Sequence, residues 1–245
     1  MSAAGRVVAV VPLRDGVSGK SRLAAVLDPA ARRRLVTVLA RHVVAAVLAV
    51  DAVERVVVVT ADPAFVREAL AGLDLHDRLD ILEQPADRPG LNAGLDVARE
   101  YVLGAAPRLL VAHADLPALT PQDVTVLLTL DADVVIATDR VGAGTNLLLL
   151  PLHPGLPDAG RSPGSTTSPA AGREPGDGGF RFHFGLGSRA AHEAEAARLG
   201  LRSVTVHGLG TAVDLDTTDD WGELPGEVRS AVGQHVPGLP GIETG

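Results

Sequence analysis

Apolar residues fall into short unbroken runs separated by stretches with helical spacing. The runs are RVVAVV at 6–11, RVVVVT at 55–60, LDIL at 79–82, RLLVAH at 108–113 and DVVIAT at 133–138. Runs this short and this continuously apolar predict strands buried on both faces. Between them, Asp28-Pro29, Asp62-Pro63 and Thr120-Pro121 each place a capping side chain ahead of a proline suited to the first helical position. Over 91–104, Leu91, Leu95, Ala98 and Val102 recur on one helical face. Strands alternating with helices predict a Rossmann-like α/β/α sandwich around a mostly parallel sheet, with ligands at the carboxyl ends of the strands.

The second half departs from that alternation. TDRVGAGTNLLLL, 138–150, predicts strand, glycine turn and strand, a β-hairpin rather than another crossover. Residues 153–179 are nearly all Pro, Gly, Ser, Thr and Ala, too poor in apolar surface to offset the entropy of ordering them, and predict a low-complexity surface insertion. After FRFHFGLGS at 180–188 the pattern predicts a helix over 188–199, a strand at SVTVHG and a short strand at AVDLDT. Residues 1–221 form the expected single domain, and 222–245, rich in Pro and Gly, a peripheral tail.

Composition narrows the functional classes. The chain has 245 residues, 46% hydrophobic, enough for one large core. A net charge of −8 with no basic block beyond Arg32-Arg33-Arg34 gives no nucleic-acid footprint. Absence of cysteine removes disulfides, thiolate metal sites and a cysteine nucleophile. The apolar run near the N-terminus is too short for a signal segment, and no stretch reaches membrane-spanning length free of charge, so a cytoplasmic enzyme is expected, with no membrane partner. Oligomeric state is not readable. Lys20 is the only lysine among 22 basic residues. In a chain that otherwise uses arginine, a surviving lysine after a strand points to a site that wants a compact ammonium, unless its survival is chance.

Lys20 sits in Gly-Lys-Ser, which raises the question of a phosphate-binding P-loop. That motif needs a glycine at position 14, where Arg14 stands, and Asp28-Pro29 cuts short the helix that should follow. Acids supply the other candidate chemistry. Asp115 follows the strand 108–112 in HADLP, and Asp214 and Asp216, two apart in VDLDT, would share one face of a strand. Three such carboxylates suit a hard cation such as magnesium; equally, each could be a turn or cap residue. Asp219 and Asp220 are assigned to helix capping. GAGTN at 142–146 and GLGS at 185–188 are either turns or loops that present backbone N–H groups to an anion, the second opening a helix. The eight histidines show no metal-ligand spacing, and no serine lies in a nucleophile elbow.

Taken in order, VPLRDGVSGKSRL, ADRPGLNAGL, HADLPAL, TDRVGAGTNLLLL, FRFHFGLGS and AVDLDTTDDW resemble the phosphoenolpyruvate or 2-phospholactate guanylyltransferases of coenzyme F-420 biosynthesis over roughly residues 6–221. The resemblance implies the nucleotidyltransferase, or GT-A-like, variant of the sandwich. It further implies transfer of GMP from GTP to the phosphate of phosphoenolpyruvate or 2-phospholactate, with release of pyrophosphate. By the same resemblance Pro12, Leu13, Arg14, Lys20 and Arg22 bind the nucleotide, Asn92 assists at the nucleoside, and Asp115, Asp214 and Asp216 hold magnesium, two ions. Thr145, Gly185 and Ser188, with Asn146 and Gly187 adjacent, would bind the small phosphorylated acid. Lys20 and the three aspartates are the implied catalytic group.

Three departures from the family pattern stand out, the first being the length of the insertion before Phe180. Arg14 replaces its first lysine and Leu186 replaces the proline of its Gly-Pro-Gly-Ser stretch. A related transferase acting on a sugar phosphate or the molybdenum cofactor, and a GTP-binding module without transfer, are the competing readings.

Overall fold

The computed structural model describes residues 6–14, 20–73, 76–152 and 179–239. Among these, seven strands form one sheet: β1 (Val7–Pro12), β2 (Val53–Thr60), β3 (Leu79–Glu83), β4 (Arg108–Ala112), β5 (Val134–Ala137), β6 (Leu147–Pro151) and β7 (Ser203–Val206), in the order β3-β2-β1-β4-β6-β5-β7. Every pairing is parallel except those of β6, which runs antiparallel to both β4 and β5. The pairing of β5 with β6, Ile136 opposite Leu148, is the expected hairpin, set within the main sheet.

Alternation along β1 shows why the strand is apolar throughout. Val7, Ala9 and Val11 pack into one cluster with α1 (Pro29–Leu48), α2 (Pro63–Leu70) and α4 (Pro121–Thr129). Val8 and Val10 pack into the opposite cluster with α3 (Leu91–Val102), the row Phe180, Phe182 and Phe184, and Ala196 of α5 (Ser188–Arg198). Two buried faces require a strand with no polar side.

Helix starts follow the sequence. Asp28 accepts from the Ala31 N–H at 2.7 Å, Asp62 from the Phe65 N–H at 3.0 Å, and Thr120 closes a capping box with Asp123, each with proline at the helix start. Such caps are worth about 1 kcal/mol each. Leu95, Ala98 and Val102 are the buried face of α3, as their spacing requires.

The chain differs from expectation at AVDLDT, which is not a strand. Residues 213–216 form a loop between α6 (Leu209–Ala212) and α7 (Thr218–Glu223). The Leu215 N–H donates to Asp115 C=O at 3.0 Å and the Asp216 N–H turns back to Asp214 C=O at 3.1 Å, so the backbone groups that would join a ladder are used in a tight turn. Asp220 closes the Thr217 capping box that starts α7, the expected capping role.

Beyond Trp221, where a peripheral tail was expected, α8 (Gly226–Gly233) and its flanks turn Leu224, Val232, Val236 and Leu239 inward. They pack with Leu23, Leu27, Leu35, Leu215 and Trp221, so the apolar residues among the Pro and Gly decide this region. All but Gly179 of the expected insertion lies outside the described residues, as do 15–19 of the opening loop.

Candidate active site

Parallel pairing brings the carboxyl ends of β1 and β4 side by side, and the chain leaves β1 toward β2 on one flank while β4 lies on the other. That switch in strand order leaves a crevice at the sheet edge. Lys20 and Asp115 both lie there. Lys20 is followed by a single 3-10 turn, Ser21–Leu23, and not by the long helix a P-loop would require.

The Lys20 ammonium lies 2.6 Å from Asp115 Oδ2 and 2.7 Å from Asp216 Oδ1. Its side chain is 7% exposed, against 25% for Asp115 and 41% for Asp216. Burial works to lower the lysine pKa, but the two carboxylates outweigh it and hold it above its ordinary value. Burial likewise works to raise Asp115, and Lys20, then His113, outweigh it and hold the carboxyl below the usual range. Asp214 is pushed upward, first by burial and then by the charges of Asp115 and Asp216. The Leu215 to Asp115 backbone bond pins the loop that carries both later acids against the end of β4.

A cavity of about 370 Å³ opens at this point. Its wall includes Pro12, Leu13, Arg14, Lys20, Arg22, then His113 and Asp115 from just beyond β4, and Asp216 from the loop before α7. The five opening-loop residues expected at a nucleotide therefore share one cavity with two of the three expected acids. Among the described residues, no three His, Cys, Asp or Glu side chains are grouped so as to hold a metal, and the Lys20 ammonium lies between Asp115 and Asp216.

Asn92 does not line that cavity, although its neighbour Leu91 does, and its amide is engaged elsewhere. Its Oδ1 accepts from the Phe184 N–H at 2.8 Å and its Nδ2 donates to Phe184 C=O at 3.1 Å. None of the residues expected at the phosphorylated acid lines that cavity. Thr145 and Asn146 are buried at the start of β6, with Asn146 Nδ2 bonded to Thr211 C=O at 2.9 Å and Asn146 C=O receiving the His113 N–H at 3.0 Å.

Gly187 precedes α5 with φ 71°, a left-handed position that favours glycine. The Ser188 N–H is already donated to Gly185 C=O within the turn, and the Arg189 N–H to Ala143 C=O of the other glycine segment, so both amides are engaged by the chain itself. Leu186, in place of the family's proline, is fully exposed.

Two histidines escaped the sequence reading. The His113 ring packs 5.1 Å from Phe184 and its Nε2 is buried with no partner among the described atoms. His192 Nε2 accepts from the His183 N–H at 3.0 Å, which places its proton on Nδ1, 3.0 Å from Thr145 Oγ1. Thr145 therefore accepts from the ring and keeps its own hydroxyl proton to donate. His113 stands two residues before Asp115, and that adjacency at a strand end was the available signal.

The family described as Guanylyl transferase CofC like matches residues 7–155. A phosphoenolpyruvate guanylyltransferase from Rubrobacter xylanophilus is 35% identical over 89% of this chain and 93% of its own length. The chain belongs to the CofC-like guanylyl transferase family.

Solved structures agree on the fold. A nucleotide-diphospho-sugar transferase-type protein from Desulfovibrio desulfuricans superposes with TM-score 0.65 at 13% identity, covering 95% of this chain and 92% of that one. A nucleotidyl transferase from Methanothermobacter superposes with TM-score 0.57 at 20% identity, covering 94% and 98%. Among the described residues no helix is long and apolar enough to cross a membrane.

Proposed function

We propose that this guanylyl transferase family member joins GMP from GTP to the phosphate of phosphoenolpyruvate, or of 2-phospholactate, and releases pyrophosphate, in coenzyme F-420 biosynthesis. The observation that carries this reading is the shared cavity, whose wall joins the only lysine and two arginines of the opening loop to Asp115 beyond β4 and Asp216 of the 213–216 loop. An acceptor phosphate oxygen forms a bond to the α-phosphorus of GTP as the bond from that phosphorus to the bridging oxygen breaks. Because the acceptor is an anion at neutral pH, no general base is required, which suits a site without a Ser-His-Asp arrangement. The protein's share is positioning and charge neutralisation.

Arg14, Lys20 and Arg22 would meet the triphosphate. Thr145 would donate its free hydroxyl proton to the acceptor, with Gly185, Gly187 and Ser188 forming the adjacent wall. Asp115, Asp214 and Asp216 would hold magnesium. The fit is chemical: three carboxylates suit a hard cation, and Asp115 Oδ1 is buried with no partner among the described atoms. When bound, such a cation neutralises developing negative charge on the phosphates.

A pyrophosphate-release assay that crosses four nucleoside triphosphates with both phosphoacids, with and without magnesium, tests the reading. Release is expected only with GTP, with one of the two acids, and with magnesium. GTP binding without release under any pairing would reduce the chain to a binding module, and release with a sugar phosphate would move it to another acceptor class.

A further inference from the structure

Lys20 presents an arrangement that phosphate binding alone does not explain. Its ammonium is held between two carboxylates on segments 95 and 196 positions away. It is also the only non-glycine residue with positive φ among the described residues, at 58°. A side chain with a Cβ is disfavoured in that region, so the surroundings must hold it there. Two charge-assisted hydrogen bonds to a nearly buried ammonium are a sufficient cause.

The oxygens that Lys20 occupies, Asp115 Oδ2 and Asp216 Oδ1, belong to the carboxylates assigned above to a divalent cation. An ammonium and a divalent cation cannot both lie between the same pair of oxygens. They compete by volume and by like charge. We infer that Lys20 is the site's resident counter-cation, closing Asp115 and Asp216 against a free divalent ion until nucleotide phosphates draw the ammonium away.

The inference rests on the guanylyl-transfer reading for the identity of the nucleotide, and on the geometry alone for the competition. It gives an order of events: the chain without nucleotide takes up divalent cation poorly, and cation and triphosphate enter as a pair. A lysine serves this better than an arginine would. Its ammonium is a compact point charge on a flexible stem that can exchange carboxylate for phosphate partners, whereas a guanidinium is a planar fork matched to a carboxylate.

The test is Mn2+ binding to the full chain, by calorimetry and by the electron paramagnetic resonance signal of free Mn2+, for wild type and Lys20→Met, each with and without GTP. Without nucleotide, Lys20→Met is expected to bind Mn2+ at least about ten-fold tighter than wild type, a difference of about 1.4 kcal/mol. The gain should vanish in the Lys20→Met, Asp115→Asn double variant. GTP should raise wild-type affinity by a similar factor and affect Lys20→Met less.

Equal or weaker Mn2+ binding by Lys20→Met without nucleotide overturns the inference. A tighter Lys20→Met together with a wild type indifferent to GTP keeps the counter-cation and overturns the nucleotide reading. If Lys20→Met folds only with Mn2+ present, a cation is replacing the ammonium and the inference stands; if it folds under neither condition, the inference falls. Lys20→Arg retains a charge at the site and is expected to bind Mn2+ no more tightly than wild type.

Discussion

Asn92 grips the backbone of Phe184 from both sides, accepting its N–H at 2.8 Å and donating to its carbonyl at 3.1 Å. The two residues are 92 positions apart, and this pair ties the start of α3 to the segment that leads into α5. The amide thus behaves like a neighbouring strand for a stretch that belongs to no sheet, and it is this use of the side chain that sets its role.

Asn92→Ala is expected to lower the unfolding free energy by about 1–3 kcal/mol, the sum of two hydrogen bonds lost at a partly buried position. In kinetics the change should raise KM for the phosphoacid, because Phe184 directly precedes the Gly185 turn. A rise confined to KM for GTP, with unchanged urea denaturation, would assign Asn92 to the nucleoside instead.

Asp216→Asn should separate chemistry from folding. Asp216 is the more exposed of the two partners of Lys20, and Asp115 stays beside the ammonium in the variant. Turnover is expected to fall about 100-fold or more. Stability should change by less than about 1 kcal/mol, as measured by chemical denaturation. A variant that keeps near-normal guanylyl transfer would remove Asp216 from the metal set.

His192 makes stability depend on pH. Burial, then the charges of His183 and His113, lower its pKa from 6.5 to about 4, so the folded chain keeps the ring neutral where the unfolded chain binds a proton. The contribution is present above pH 6.5 and is lost as pH falls through the window down to about 4. Between about pH 7 and about pH 4.5 it amounts to about 2 kcal/mol. In His192→Asn, which keeps a donor toward Thr145, the drop in unfolding free energy over that range should be smaller by about this amount. Equal slopes in both chains would show that the ring is not the source.

Gly210 of α6 leaves no room for a side chain. A Cβ there would lie 2.9 Å from Ala118 C=O and would strike the Asp123 carboxylate. That carboxylate accepts from the Thr120 N–H at 2.9 Å and closes the cap of α4. Gly210→Ala is therefore expected to cost about 1–3 kcal/mol. It should also weaken Mn2+ binding measured with GTP present, because α6 leads directly into Asp214.

Much of this architecture was legible along the chain because its causes are local. A strand apolar on both faces, an aspartate before a proline and a heptad-like row such as Leu95, Ala98 and Val102 each describe a segment and its immediate surroundings. The same is true of the hairpin, where Gly142 and Gly144 interrupt two apolar runs. Asp115, too, could be placed at a strand's carboxyl end from sequence alone, and family membership follows from ordered motifs that local chemistry constrains.

What the sequence could not decide depends on atoms far apart in the chain. AVDLDT has the alternation of a strand, yet its Leu215 N–H is spent on Asp115 C=O, a partner that exists only once β4 is in place. The Pro- and Gly-rich tail reads as peripheral until α1 supplies the apolar surface on which Leu224 and Val236 pack. Lys20 reads as a phosphate ligand from its loop and only folding shows its ammonium between two carboxylates. Local pattern fixes which segments become strands and helices, because backbone preference and burial act over a few residues. The identity of each charged group's partner is fixed by long-range closure of the chain, for which one-dimensional spacing carries no record.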